Sequence, residues 1–141
     1  MIIAIASDHA GFELKEKVKK YLAKRGIKAK DFGAFSEEAV DYPDYAKTAA
    51  KSVLSKKTPK AILICGTGQG MAMTANKFKG IRAVACESAF CVKMSRAHND
   101  SNILCLGARI LSASKALSLV KIWLDTRFEG GRHLRRVRKI R

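Results

Sequence analysis

Short continuous apolar runs alternate along this chain with stretches whose apolar residues recur every three or four positions. The first pattern is that of a strand buried on both faces, the second that of an amphipathic helix. Ile2 to Ala6 predicts a first strand, and Ser7-Asp8-His9-Ala10-Gly11 a turn into a helix. Leu14, Val18, Tyr21 and Leu22 share one face of that helix, while Glu13/Lys17 and Glu16/Lys20 are spaced to pair on the wet side. Gly26 is placed to end it. Ile27 to Phe32 is a weaker strand, polar at Lys28 and Lys30, and so is expected nearer an edge. Gly33 to Val40 is loop. Asp41 can cap a helix with Pro43 in its first turn, Ala46, Ala49, Ala50, Val53 and Leu54 on its apolar face, and Thr58-Pro59 as its stop.

Ala61 to Cys65 is the most continuous apolar run, and a helix to about Phe78 follows it. Ile81 to Cys86 predicts a fourth strand. The segment from Ser88 to about His98 predicts a helix with Phe90, Met94 and Ala97 on one side. Asn102 to Leu106 is a fifth strand. Ser112 caps a helix whose Ala113, Ala116, Leu117, Val120 and Leu124 share a face. Gly130-Gly131 breaks the chain before a last basic helix, residues 131–141, with Leu134 and Val137 expected inward. Five alternations of strand and helix with short connections predict a single α/β domain. Its expected form is a doubly wound, Rossmann-like, five-stranded parallel sheet with helices on both faces.

Composition narrows the setting. The 141 residues are 48% hydrophobic with ten glycines and two prolines, which excludes a disordered or collagen-like chain. No apolar run approaches the ~20 residues of a membrane span. The N-terminal run has no leading Lys or Arg and contains Asp8 and His9, an argument against a signal peptide. Four cysteines (Cys65, Cys86, Cys91, Cys105) form no CxxC and no His-spaced zinc pattern. Reduced thiols and a cytoplasmic location fit best.

The net charge is +16, and six of the last ten residues are Arg or Lys: Arg132, Arg135, Arg136, Arg138, Lys139 and Arg141. Such a block is either a polyanion footprint or a solvated helix face that lends arginines to an anionic substrate. No zinc finger, RRM or helix-turn-helix accompanies it, so nucleic-acid binding is not expected as the main function.

The candidate chemistry lies in AILICGTGQG, Ala61 to Gly70. Cys65 ends a buried strand, and Gly66, Thr67, Gly68 and Gly70 follow. Glycines there let backbone N–H groups converge on an anion, and a helix beginning near Gly70 adds its positive end. The loop lacks the Lys-Ser/Thr of a Walker A motif, and Met71 stands where a dinucleotide fingerprint has its third glycine. Acyl transfer by Cys65 needs a base, for which His9 and His98 are both candidates. The other chemistry open to the loop is a thiolate that removes a carbon-bound proton, with N–H groups and Thr67 holding the resulting enediolate. Asp8-His9 ends the first strand as Cys65 ends the third, so both face the crevice at the carboxyl edge of such a sheet.

Seven segments in order resemble one family, that of type B ribose-5-phosphate isomerase and the allose-6-phosphate and galactose-6-phosphate isomerases. They are SDHAGFELK (Ser7 to Lys15), DYPDYA (Asp41 to Ala46), ICGTGQGM…ANK (Ile64 to Lys77), GIRA (Gly80 to Ala83), SRAHNDSN (Ser95 to Asn102), LGARI (Leu106 to Ile110) and FEGGRHLRRV (Phe128 to Val137). The resemblance implies an aldose–ketose isomerase domain over residues 1–141 that needs no metal and no cofactor. It would interconvert ribose 5-phosphate and ribulose 5-phosphate through a cis-enediol. An allose- or galactose-6-phosphate substrate is the alternative, and a polyanion-binding protein on an inactive scaffold a remote one.

The resemblance also implies roles. Cys65 is the base, and Thr67 with the amides of Gly66, Gly68 and Gly70 holds the oxyanion. Asp8 and His98 assist ring opening, Asn99 meets the sugar oxygens and Tyr42 walls the substrate. His9, Arg109, Arg132 and Arg136 bind the phosphate, while His133 either touches it or caps the last helix. Some relatives place a glutamate at the position of Met71, so Cys65 marks this chain as the cysteine type. The implied assembly is a homodimer or dimer of dimers, with His98 and Arg109 reaching the partner's site.

Overall fold

The computed structural model describes residues 1–140. Five strands form one sheet: β1 (Ile2–Ser7), β2 (Lys28–Asp31), β3 (Lys60–Cys65), β4 (Ala83–Ala85) and β5 (Ile103–Gly107). They pair in the order β2-β1-β3-β5-β4, every pair parallel. Six helices connect or follow them: α1 (Phe12–Lys24), α2 (Tyr42–Leu54), α3 (Gln69–Ala75), α4 (Ala89–Ala97), α5 (Ala113–Asp125) and α6 (Arg132–Val137). The doubly wound sheet expected from the alternation is what forms. No described helix is long and apolar enough to cross a membrane.

Alternate residues of each strand face opposite layers. Ala4, Ala6, Ala61, Leu63, Cys65, Ile103 and Cys105 pack against Ala46, Ala49 and Ala50 of α2 and Met71, Ala72 and Ala75 of α3. Ile3, Ile5, Ile62, Ile64, Leu104 and Leu106 pack against Leu14, Val18 and Leu22 of α1, Val92 of α4 and the inner face of α5. The β2 strand is an edge, as its lysines imply. At the other edge, Asn76 substitutes for a neighbouring strand: its Oδ1 accepts the Ala83 N–H at 2.8 Å and its Nδ2 donates to the Ala83 carbonyl at 2.9 Å.

Two buried polar arrangements hold the layers in register. Lys15 of α1 is fully buried, and its Nζ lies 2.7 and 2.8 Å from the two carboxylate oxygens of Asp31 at the end of β2. Lys19 Nζ and the Gly33 N–H also donate to Asp31. Burial alone would raise the Asp31 carboxyl, but these donors hold it below its ordinary value. At the opposite end of the molecule, Trp123 of α5 is fully buried and its Nε1 donates to Ser101 Oγ at 2.9 Å.

Several local expectations are corrected. The α3 helix stops at Ala75 rather than near Phe78, and β4 has three residues, shorter than Ile81 to Cys86. Glu16 pairs with Lys19 at 3.3 Å and lies 3.7 Å from Lys15, rather than pairing with Lys20. Phe90 is 72% exposed. In α6 the buried residue is His133, whereas Leu134 is exposed and Val137 half-buried. The phase of this short helix is set by a stack of His133 on His98 and not by its two apolar residues.

Candidate active site

In a parallel sheet, the strands deliver their last residues to one edge, and here the neighbours β1, β3 and β5 converge there. Asp8 N–H donates to the Ile64 carbonyl, Ala108 N–H to Cys65 and Arg109 N–H to Gly66 at 3.2, 2.8 and 3.0 Å. Cys65 is 4% exposed, and its Sγ accepts the Gly68 N–H at 3.1 Å. That amide therefore serves the sulfur. The first N–H groups of a helix have no partner within it, and in α3 the Ala72 N–H is already bonded to the Gly68 carbonyl. The amides of Gly70 and Met71 precede it, at the open start of the helix.

Two glycines are fixed by their surroundings. Gly68 has φ +80° and lies against the backbone of Cys105 and Leu106. A Cβ on Gly70 would stand 2.5 Å from ring carbons of Tyr42, which places the Tyr42 ring over the loop. Thr67 is exposed, and its Oγ1 accepts the Gln69 N–H at 3.3 Å. The Arg109 guanidinium lies against Gly66 of its own chain, although the resemblance assigns that position to the partner's site.

Asp8 is buried, and its Oδ1 accepts the Gly11 N–H at 3.1 Å, closing the turn that leads into α1, whose N-cap is Gly11. His9 Nδ1 accepts the Val40 N–H at 3.2 Å, which puts the proton on Nε2 and makes that atom a donor. Among the other cysteines, burial and then the neighbouring Cys65 and Cys86 push the Cys105 thiol well up, and burial raises Cys86.

The remaining expected residues lie elsewhere in the chain. His98 caps the C-terminus of α4, which returns from the carboxyl edge of the sheet to its amino edge. The segment after His98 is bound there: Arg82, just before β4, donates through Nε to the Asp100 carbonyl at 3.0 Å and accepts the Asn102 N–H at 3.0 Å. Ala61 is aligned with Ile103 and Cys65 with Gly107, so the two edges are about 13 Å apart along the strands. His98 stacks on His133 with ring centroids 4.1 Å apart, and its Nε2 is 3.6 Å from Glu129 Oε2. Arg132 and Arg136 belong to this group. Burial first, then His98 and these arginines, lowers the His133 imidazole. Asn99 is exposed beside it and lines a cleft of about 420 Å³ with Phe78, Ile81 and Ile140.

The expected site thus falls into two halves on opposite edges. One holds Asp8, His9, Tyr42, Cys65, the glycine loop and Arg109; the other holds His98, Asn99, Arg132 and Arg136. Sequence spacing missed Glu129 as a neighbour of His98, because 31 residues separate them. It also missed the structural service of several motif residues, notably Lys15, Asn76 and Arg96, whose Nη1 donates to Asp100 Oδ1 and the Ser101 carbonyl.

Fold and site together define a doubly wound α/β protein with a buried thiol in an N–H cradle at the carboxyl edge of its sheet. The chain belongs to the Ribose/Galactose Isomerase family, whose model matches residues 3–140. Ribose-5-phosphate isomerase B of Escherichia coli is 44% identical over 138 residues, 98% of this chain and 93% of that protein. The crystal structure of a ribose 5-phosphate isomerase from Thermotoga maritima is 53% identical with a TM-score of 0.96, covering 99% of this chain and 96% of that one. Ribose-5-phosphate isomerase B from Mycoplasma genitalium, solved with bound ribulose 5-phosphate, is 39% identical with a TM-score of 0.94, over 99% of this chain and 93% of that one.

Proposed function

We propose that this protein interconverts ribose 5-phosphate and ribulose 5-phosphate, with Cys65 as the base. The observation that carries the assignment is the buried Cys65 sulfur with the Gly68 N–H on it, beside unpaired helix amides, in a member of this family. The Cys65 thiolate takes the proton from C2 of the open-chain aldose. The C–H electron pair forms the C1–C2 double bond, and the carbonyl oxygen becomes the enediolate oxygen. Thr67 and the Gly66, Gly70 and Met71 amides face that charge. The C2 hydroxyl proton passes to O1, the O2 electron pair becomes the new C2 carbonyl as the C1–C2 double bond takes the proton back at C1, and the thiolate is restored.

Asp8 and His98 open the furanose ring, Asn99 and Tyr42 position the sugar, and His9, Arg109, Arg132 and Arg136 bind the phosphate. Arg132 and Arg136 stand one helical turn apart on α6, so both can reach one phosphate. Because His98 and Cys65 occupy opposite edges, a complete site takes them from two chains of a homodimer or dimer of dimers. The four free thiols support a cytoplasmic setting. No step requires a metal or cofactor.

Purified protein is expected to turn over ribose 5-phosphate in preference to allose 6-phosphate and galactose 6-phosphate. Cys65→Ser is expected to bind the substrate and lose nearly all turnover, because a serine hydroxyl is far harder to ionise. Alkylation of the thiol should inactivate the wild type, with protection by substrate. Full activity in Cys65→Ser overturns the assignment of the base.

A further inference from the structure

Where the end of α4 meets the start of α6, three side chains form a cluster of metal-ligand type. His98, Glu129 and His133 offer ligand atoms that all lie within 4.8 Å of one another. The backbone explains their proximity. The Glu129 N–H donates to the Ala97 carbonyl at 3.0 Å, which pins residue 129 beside residue 98. His133 then follows one turn later, across Gly130-Gly131, both at positive φ.

We propose that His98, Glu129 and His133 form a binding site for a divalent transition-metal ion of the zinc class, and that its occupancy inhibits the isomerase. Two imidazoles and one carboxylate are borderline donors that suit zinc, cobalt or nickel and suit magnesium or calcium poorly. Two ligands on one tetrahedral zinc, each about 2.0–2.1 Å away, stand roughly 3.3 Å apart. The 3.6 Å between His98 Nε2 and Glu129 Oε2 is already close to that span. The stacked imidazoles must tilt apart so that both lone pairs aim at one point. His98 and Glu129 are 36% and 53% exposed and free to turn, whereas His133 is buried and acts as the anchor. Arg132 and Arg136 oppose a cation here, so the site is a reversible one rather than a structural zinc. A fourth position stays open to water.

The inhibition, unlike the binding, rests on the proposed role of His98. A metal on its imidazole takes the lone pair needed for ring opening. Substrate and metal then compete, and each weakens the other by the same factor.

Equilibrium dialysis against Zn²⁺ of the full-length wild type, Glu129→Gln and His133→Asn tests the site directly. Glu129 is on the surface, so its variant folds whatever becomes of His133→Asn. One zinc per chain is expected in the wild type, with affinity falling roughly 10-fold or more in each variant. Zinc should slow isomerisation, saturating sugar phosphate and a chelator should each relieve it, and Glu129→Gln should need correspondingly more zinc. Equal zinc affinity in all three proteins overturns the proposal. So does a thiolate-to-metal charge-transfer band on adding Co²⁺, which would place the ion on cysteine. Zinc bound as expected with an unchanged rate refutes the inhibition and with it the ring-opening role of His98, while the ion site stands.

Discussion

Cys65→Ala and His98→Asn, each made in a separate preparation, are both expected to be inactive, and their mixture reports how the proposed site is built. Ile103 of β5 is aligned with Ala61, four residues before Cys65, and His98 lies five residues earlier still in the chain. Cys65 therefore stands about 13 Å along the strands from the level at which the chain enters β5 after α4 and His98, which argues against one chain bringing both groups to adjacent carbons and the ring oxygen of one sugar. In an isologous dimer each of two sites takes Cys65 from one chain and His98 from the other. A hybrid of the two variants gathers both defects into one site and leaves the other intact. Random re-pairing makes about half of the dimers hybrids, each with one good site of two, so roughly a quarter of wild-type activity should return. The assay is ribulose 5-phosphate formation after co-expression or joint refolding, with hybrids counted by native mass spectrometry. A mixture as inactive as its parents, with hybrids present in the expected proportion, would refute the two-chain site.

Other consequences follow from single side chains. Arg132→Ala or Arg136→Ala should mainly raise KM, by the cost of a charge-assisted hydrogen bond of roughly 1.5–3 kcal/mol, about 10- to 150-fold. Inorganic phosphate should then inhibit the variants much less than the wild type, and unchanged phosphate inhibition would assign the arginines another task. Asp31→Ala leaves Lys15 buried without its partner, so unfolding free energy should fall by about 3–5 kcal/mol in denaturant titration. Because the native Asp31 carboxyl is lowered, its contribution is full above the unfolded value of about 3.9 and is lost as the pH falls through the native one. The gap between wild type and Asp31→Ala should therefore narrow only below that value. Gly70→Ala must displace the Tyr42 ring, and its loss of kcat/KM should be non-additive with that of Tyr42→Ala; strictly additive losses would separate the two positions.

The centre of the sheet was legible because β1, β3 and β5 are continuous apolar runs and the helices are amphipathic, while β2, Lys-Ala-Lys-Asp, showed only as a weak edge strand. The carboxyl-edge half of the site was legible for a related reason: strand ends followed at once by Asp8-His9 or Cys65-Gly66 put their chemistry in one crevice. What sequence pattern missed is contact between segments remote in the chain. Nothing in the helical spacing of α1 marked Lys15, yet it is buried with Asp31 of β2 on its ammonium. Leu134 looked like a core residue of α6, yet His133 turns inward because a second imidazole is there to stack on. The separation of His98 from Cys65 follows from topology, once α4 is seen to end at the amino edge.

Trp123 is the only tryptophan of the chain. Its indole is sealed from water, hydrogen-bonded to Ser101 and faced by Lys60 Nζ at 5.3 Å from the ring. Ser101 stands three residues beyond His98 in the turn clamped by Arg96. A single emission band therefore samples the immediate surroundings of the imidazole. Loosening of that turn would wet the indole and shift its fluorescence to the red, without label or engineered reporter. Ligand-induced events at the amino edge thus carry an optical signature separate from those around Cys65, where no tryptophan contributes.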